Sequence, residues 1–173
     1  MTLVEALCAA IIAFGVGDSP SRGEYACTHV PQIVEVSNQF NLRPEVMISL
    51  IHYESRFNPT VVSSAGACGL TQVLPRYTGG RPYPRGAGNP RLTCEQLKNP
   101  RTSILAGARA LRYWLHRYGR GSERIVLCGY NAGFRCKGRN PHPAGMRYSR
   151  RVIRLANQIQ GYVSSRIQVP SKK

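Results

Sequence analysis

The sequence predicts a mainly α protein organised around one principal domain. Apolar residues recur at three- and four-residue spacing in segment after segment. Proline stands where several helices would start, with turn-forming residues between them. Alternating apolar and polar runs, the mark of half-buried strands, are scarce. At 173 residues the chain is long enough to bury most of its apolar surface in a single core.

The first segment, "LVEALCAAIIAFGVG" (Leu3 to Gly17), is almost wholly apolar. It is shorter than the ~20 residues a membrane-spanning helix needs. It has no Lys or Arg before Arg22, and Glu5 sits where a signal peptide is usually basic. The reading is an apolar helix over 1–17 that docks on the domain, on a partner or on a membrane. A signal-like segment is the competing reading. "GDSPSRGEY" (Gly17 to Tyr25) reads as a linker, giving a division into 1–17, a linker over 18–26, a main domain over 27–165 and a basic tail over 166–173.

"VPQIVEVSNQFN" predicts a helix with Pro31 in its first turn. "NLRPEVMISLIHYESRF" predicts a second, opened by Pro44 and closed by Asn58 and Pro59. Val61 to Pro75 is turn-rich, and Thr78 to Pro90 is a loop by composition. "NPRTSILAGARALRYWLHRYG" predicts a strong helix with Leu105, Leu111, Trp114, Leu115 and Tyr118 on its apolar side and Gly119 at its end. Two further helices follow, one from Ser122 and one over "MRYSRRVIRLANQIQGYV".

The charge is lopsided: 24 Lys and Arg against 8 Asp and Glu, a net +16. That points to an anionic partner. Nucleic acid fits poorly, because there is no recognised binding motif and no single basic helix with interleaved aromatics. The six cysteines form no zinc-type cluster, so no metal is expected. Their pairing is open among 15 arrangements, and Cys68 and Cys128 also fit as small core residues.

Few acids leave few candidates for proton transfer. On the helix opened by Pro44, at roughly 100° per residue, Glu54 falls within roughly 20° of Met47 and in line with Leu50 and Ile51. Glu45 falls on the opposite side. A carboxyl set against apolar walls resists ionisation and suits a general acid near neutral pH. The competing reading is a helix-edge Glu54 paired with Arg56 or another Arg.

"ESRFNP", Ser63, "GA" at Gly66 and Ala67, and "GL-Q" from Gly69 to Gln72 are followed by "NPRTSILAGARAL", "GYNAG" and "RYSRRV". In that order these blocks resemble the signature of the soluble lytic transglycosylase family, over roughly Pro31 to Val163. The resemblance implies a goose-type-lysozyme-like (SLT) fold and cleavage of peptidoglycan glycan strands. It implies one catalytic carboxylate, Glu54, acting first as acid and then as base, with no cofactor. Ser63, Gln72, Tyr130, Asn131 and Tyr148 match family positions near the catalytic Glu or the sugar cleft, Ser63 as a hydrogen-bond partner of the carboxylate. Core packing is the competing role for Tyr130 and Tyr148. The chain departs from the family pattern at Cys68, Thr71, Ser103, Ala110 and Ser149.

The main reading is thus a lytic transglycosylase acting in the periplasm or cell wall, drawn to an anionic envelope. Its alternatives are a lysozyme-type hydrolase on the same fold, an inactive wall-binding module and a basic nucleic-acid-binding protein. The N-terminal segment favours a phage virion component docking through Leu3 to Val16; an exported enzyme of a secretion or other envelope-spanning machine is the alternative context.

Overall fold

Thr2 opens the first helix with a reciprocal cap: its hydroxyl accepts from the Glu5 N–H, and the Glu5 carboxylate accepts from the Thr2 N–H. The computed structural model describes residues 1–79, 91–119 and 121–167. Among these residues the chain forms seven α-helices and no extended strand. They are α1 (Leu3–Ala13), α2 (Pro20–Gln39), α3 (Pro44–Ser55), α4 (Cys94–Lys98), α5 (Pro100–Trp114), α6 (Glu123–Ala132) and α7 (Pro143–Ser164). A π-helical turn, Leu115–Gly119, extends α5, and 3-10 turns lie at Pro75–Tyr77 and Gly133–Cys136. The mainly α expectation holds.

The N-terminal helix belongs to the domain. Ala6, Leu7, Ala10 and Ile11 of α1 are fully buried in the same core as Ile33, Met47, Ile51, Val152 and Ile159. Burying a Leu or Ile side chain contributes about 2 kcal/mol, so α1 is firmly held. A disulfide, Cys8–Cys27, also ties it to α2. The buried side of α1 packs on α2 and α7 and is part of the core. No helix among the described residues is long and apolar enough to cross a membrane.

The stretch read as a linker is helical. Ser19 caps α2 by accepting from the Arg22 N–H, and Pro20 occupies its first turn. Composition alone reads "GDSPSRG" as a turn because the same residues serve as helix starts. Pro31 lies inside α2 and does not open a helix. A mid-helix proline normally breaks or kinks a helix. Here the helix is fixed on both sides, by Cys27 and Ala26 before Pro31 and by buried Ile33 and Val36 after it.

The helix opened by Pro44, the one from Ser122 and the last one form as expected, the last starting earlier at Pro143 under a His142 cap. Short α4 went unread, although Thr93 and Gln96 carry a full capping box. All six cysteines are paired: Cys8–Cys27, Cys68–Cys94 and Cys128–Cys136. Cys68 and Cys128 are therefore bonded, and not free core thiols. Most of the Thr78–Pro90 loop and most of the basic tail lie outside the described residues.

Candidate active site

Glu54 stands in the last turn of α3, with Met47, Leu50 and Ile51 buried beneath it. The helix ends at once, because Arg56 and Phe57 both take positive φ, 53° and 56°. Such backbone is costly for residues with side chains and is held only by its surroundings. Phe57 is fully buried, its carbonyl accepts from Arg22, and Arg56 is clamped by Asp18 at 2.6 Å. This tight turn fixes the end of α3 on which Glu54 is mounted.

The Glu54 side chain is partly exposed by surface area yet crowded by protein on nearly all sides. Burial pushes its carboxyl from the ordinary 4.5 up to about 7, against the opposing pull of one hydrogen bond. Its place at the negative end of a helix works in the same direction as burial. The hydrogen bond comes from Tyr148 on α7, whose hydroxyl donates to Glu54 Oε1 at 2.5 Å.

Among the described residues Glu54 pairs with no cation. Arg56, the suspected partner, is taken by Asp18. The other acids are engaged elsewhere or distant: Glu35 meets Arg101, Glu95 meets Lys98, Glu123 meets Arg43, and Glu45 lies two and a half turns down α3. No second carboxylate perturbs Glu54.

Tyr130 on α6 completes the centre. Its hydroxyl donates to the Thr71 carbonyl at 2.6 Å. Burial first, and the Glu54 charge second, push the hydroxyls of Tyr130 and Tyr148 well above the usual tyrosine range. Both stay protonated, as donors, at neutral pH. The structure thus brings Glu54, Tyr130 and Tyr148 together from three helices.

The other expected residues are placed differently. The Ser63 hydroxyl accepts from the Ala67 N–H at 3.0 Å and makes no hydrogen bond to Glu54. Ser63 instead clips the tight turn through Gly66, whose backbone also links Ser63 N–H to Ala67 carbonyl. Gln72 takes φ 50°, and its Nε2 donates to the carbonyls of Val61 and Gly69, each at 3.0 Å. Both amide protons are committed, so Gln72 Oε1 is its remaining group for a ligand, as an acceptor. Asn131 is exposed on the last turn of α6, next to Tyr130.

A family model, the transglycosylase SLT domain, matches residues 32–149, a span that includes Glu54, Ser63, Gln72, Tyr130, Asn131 and Tyr148. The chain belongs to the transglycosylase SLT family. Similar relatives include "Membrane-bound lytic murein transglycosylase C" of Glaesserella parasuis, 30% identical over 111 residues, covering 61% of this chain and 30% of the relative. "Endo-type membrane-bound lytic murein transglycosylase A" of Klebsiella pneumoniae is 38% identical over 65 residues, covering 38% of this chain and 32% of the relative. The chain therefore spans about a third of the length of these curated relatives. Among solved structures, an inactive mutant of lytic transglycosylase Slt from Pseudomonas aeruginosa shares the fold, with a TM-score of 0.63 at 19% identity, over 79% of this chain and 24% of that one.

Two departures of this SLT domain from the family pattern are coupled. Thr71 is fully buried, and its hydroxyl donates to the Ser103 carbonyl at 2.7 Å. The Ser103 hydroxyl in turn accepts from the Thr71 N–H at 3.1 Å. Thr71 lies beneath the site, and its carbonyl anchors Tyr130. Gly107 makes room for it, since a Cβ there would fall 2.6 Å from Thr71 Cγ2. A third departure, Cys68, bonds to Cys94 and fastens the site loop to α4. Beside it Gly69 (φ +77°) is pressed so close to Leu97 that a Cβ would overlap the Leu97 carbonyl oxygen. Neither the Thr71–Ser103 pairing nor the Cys68–Cys94 bond was legible from spacing, because each joins residues more than twenty positions apart.

Proposed function

We propose that this SLT domain is a peptidoglycan lytic transglycosylase, cleaving the β-1,4 bond between N-acetylmuramic acid and N-acetylglucosamine. The observation that carries the reading is a single carboxyl, Glu54, held near neutral pKa without a second carboxylate beside it. Protonated Glu54 gives its proton to the glycosidic oxygen as the C1–O bond breaks. The resulting carboxylate takes the proton from the muramic C6 hydroxyl as that oxygen bonds to C1. The product carries a 1,6-anhydro ring, and Glu54 ends the cycle protonated, as it began. A pKa near the working pH suits a group that serves in both directions. A water-activating hydrolase that inverts needs a second carboxylate with room for water, and a retaining one needs a carboxylate nucleophile. Among the described residues no second carboxylate contributes to the Glu54 shift, which favours the one-carboxylate reading.

Tyr148 steadies the Glu54 carboxylate once it is charged, and Tyr130 adds a second neutral phenol to the same wall. Gln72 Oε1 offers an acceptor for a sugar acetamido N–H, and exposed Asn131 and the Ser63 hydroxyl proton offer donors. The net charge of +16 would hold the enzyme on an anionic envelope through long-range attraction. Three disulfides suit action outside a reducing cytosol, in the periplasm or wall. Delivery by a phage virion or by an envelope-spanning machine fits that setting. The buried side of α1 serves the domain's own core, so a docking contact with such a partner would use another surface.

The test is release of soluble muropeptides from purified sacculi. Wild type releases them, and Glu54→Gln, folded by circular dichroism, does not. Equal release by both proteins would refute the reading.

A further inference from the structure

The end of α5 carries a group of aromatic rings in which Trp114 packs partly against the core and Tyr113 stands exposed. Tyr113 and Trp114 close α5, Tyr118 lies in the π-helical turn, and Phe134 lies in the 3-10 turn after α6. Their rings form one connected group. Trp114 lies 5.2 Å from Tyr118 and 5.3 Å from Phe134, and Tyr113 lies 5.7 Å from Trp114. Lys137 stands 5.1 Å over the Tyr118 ring. Phe134 is 60% exposed and Tyr113 39%. Four aromatics gathered together, with Lys137 over one ring and Arg117 beside Tyr113, are more than the scattered exposed apolar residues any protein carries.

The shelf and the reaction centre share a helix. α6 carries both: Tyr130 points to Thr71 and Glu54, while Gly129 next to it receives the face of Trp114. A Cβ on Gly129 would sit 2.4 Å from the indole, so Trp114 lies flat on the α6 backbone. Exposed Asn131 comes next along α6, and Phe134 three residues later. On α5, Gly107 touches Thr71 beneath the site, and Trp114 is seven residues further on, roughly 10 Å at the helical rise.

We infer that Tyr113, Trp114, Tyr118 and Phe134 form a stacking platform for sugars of the same glycan strand, beyond the bond that is cut. A pyranose presents an apolar face of C–H groups and a polar rim. An exposed aromatic shelf fits that face, and Lys137 fits the carboxylates of lactyl groups or stem peptides. A strand that runs from Glu54 across α6 would reach this surface, because Tyr130 and Gly129 are adjacent on that helix. The inference rests on the glycan-cleaving reading above and deepens it.

The chain contains one tryptophan, so intrinsic tryptophan emission reports on this shelf alone. The experiment titrates peptide-free glycan strands into full-length Glu54→Gln, which binds without cutting, at high salt to suppress nonspecific charge attraction. The expected result is a saturable change in emission. Adding Phe134→Ala and Tyr113→Ala, both at exposed positions, weakens binding about tenfold while thermal melting stays unchanged. Saturable binding, followed by sedimentation, with unchanged emission would overturn the platform and leave the cleavage reading intact. Unweakened binding in the aromatic variants would also overturn it. So would emission that follows protein concentration and ignores glycan, which would make the shelf a contact between copies of the chain. If wild type releases no muropeptide but the saturable emission change is present, the cleavage reading fails and the platform stands.

Discussion

Tyr148 Oη donates to Glu54 Oε1 at 2.5 Å, joining the end of α3 to the start of α7 across 94 positions of sequence. This bond is the one influence that favours the charged form of a carboxyl which burial otherwise holds neutral. The balance of the two leaves Glu54 at about 7, able both to give and to take a proton near neutral pH.

Tyr148→Phe keeps the ring and removes the donor. The Glu54 pKa then rises above its present value, because the charged form loses its support. The basic limb of the pH–rate profile moves to higher pH, and the rate at neutral pH falls by about tenfold or more, the scale of a hydrogen bond to a charged group. A profile of kcat/KM against pH for both proteins reads this. A role for Tyr148 in packing alone would lower the rate without moving the limb.

Stability depends on pH through the same carboxyl. The folded state holds the Glu54 proton up to about 7, whereas the unfolded chain releases it near 4.5. The folded state therefore binds more protons between those values, and stability falls as pH rises through that window. The contribution is fully present below 4.5 and absent above 7, at most about 3 kcal/mol. Glu54→Gln removes this titration, so the variant loses less stability than wild type between pH 4.5 and 7. Parallel melting curves across that range check this.

Thr71→Val keeps the side-chain shape and deletes the hydroxyl that donates to Ser103. With Ser103 left short of a buried partner, the expected loss of stability is about 1–3 kcal/mol. Because the Thr71 carbonyl anchors Tyr130, activity falls as well. Chemical denaturation and muropeptide release measure the two effects, and Ser103→Ala should reproduce both in part.

How much of this centre could be read from the sequence follows from the range of each interaction. Glu54 was legible because a helix repeats locally, and its apolar neighbours Met47, Leu50 and Ile51 announced its face. Tyr130, Tyr148 and Gln72 came from family motifs, which encode long-range proximity that periodicity does not. The Ser63 hydroxyl went to Ala67 because a turn through Gly66 offers a nearer N–H than any other group. The start of α2 was missed where turn-forming and helix-capping residues coincide, at Ser19 and Pro20. The aromatic shelf was hidden because Trp114 and Tyr118 fit the apolar side of α5 as well as they fit a surface, and Phe134 joins them only in three dimensions.

The Cys68–Cys94 bond closes a 26-residue stretch and holds the site loop on α4. Replacing both cysteines with Ser should cost about 2–4 kcal/mol, on the scale of loops this long. The loop carries Gln72 and the Thr71 carbonyl, so activity falls more steeply than in a variant lacking the Cys8–Cys27 bond of α1. Thermal melting and muropeptide release of the two double variants separate the global effect from the local one.

One carboxyl, Glu54, does the work of two in this mechanism, and the mass of the product reads that directly. Muropeptides released from purified sacculi by the wild-type protein should end in 1,6-anhydro-muramic acid, with none from Glu54→Gln. Products heavier by one water, ending in reducing muramic acid, would contradict it and require a water-holding partner for Glu54.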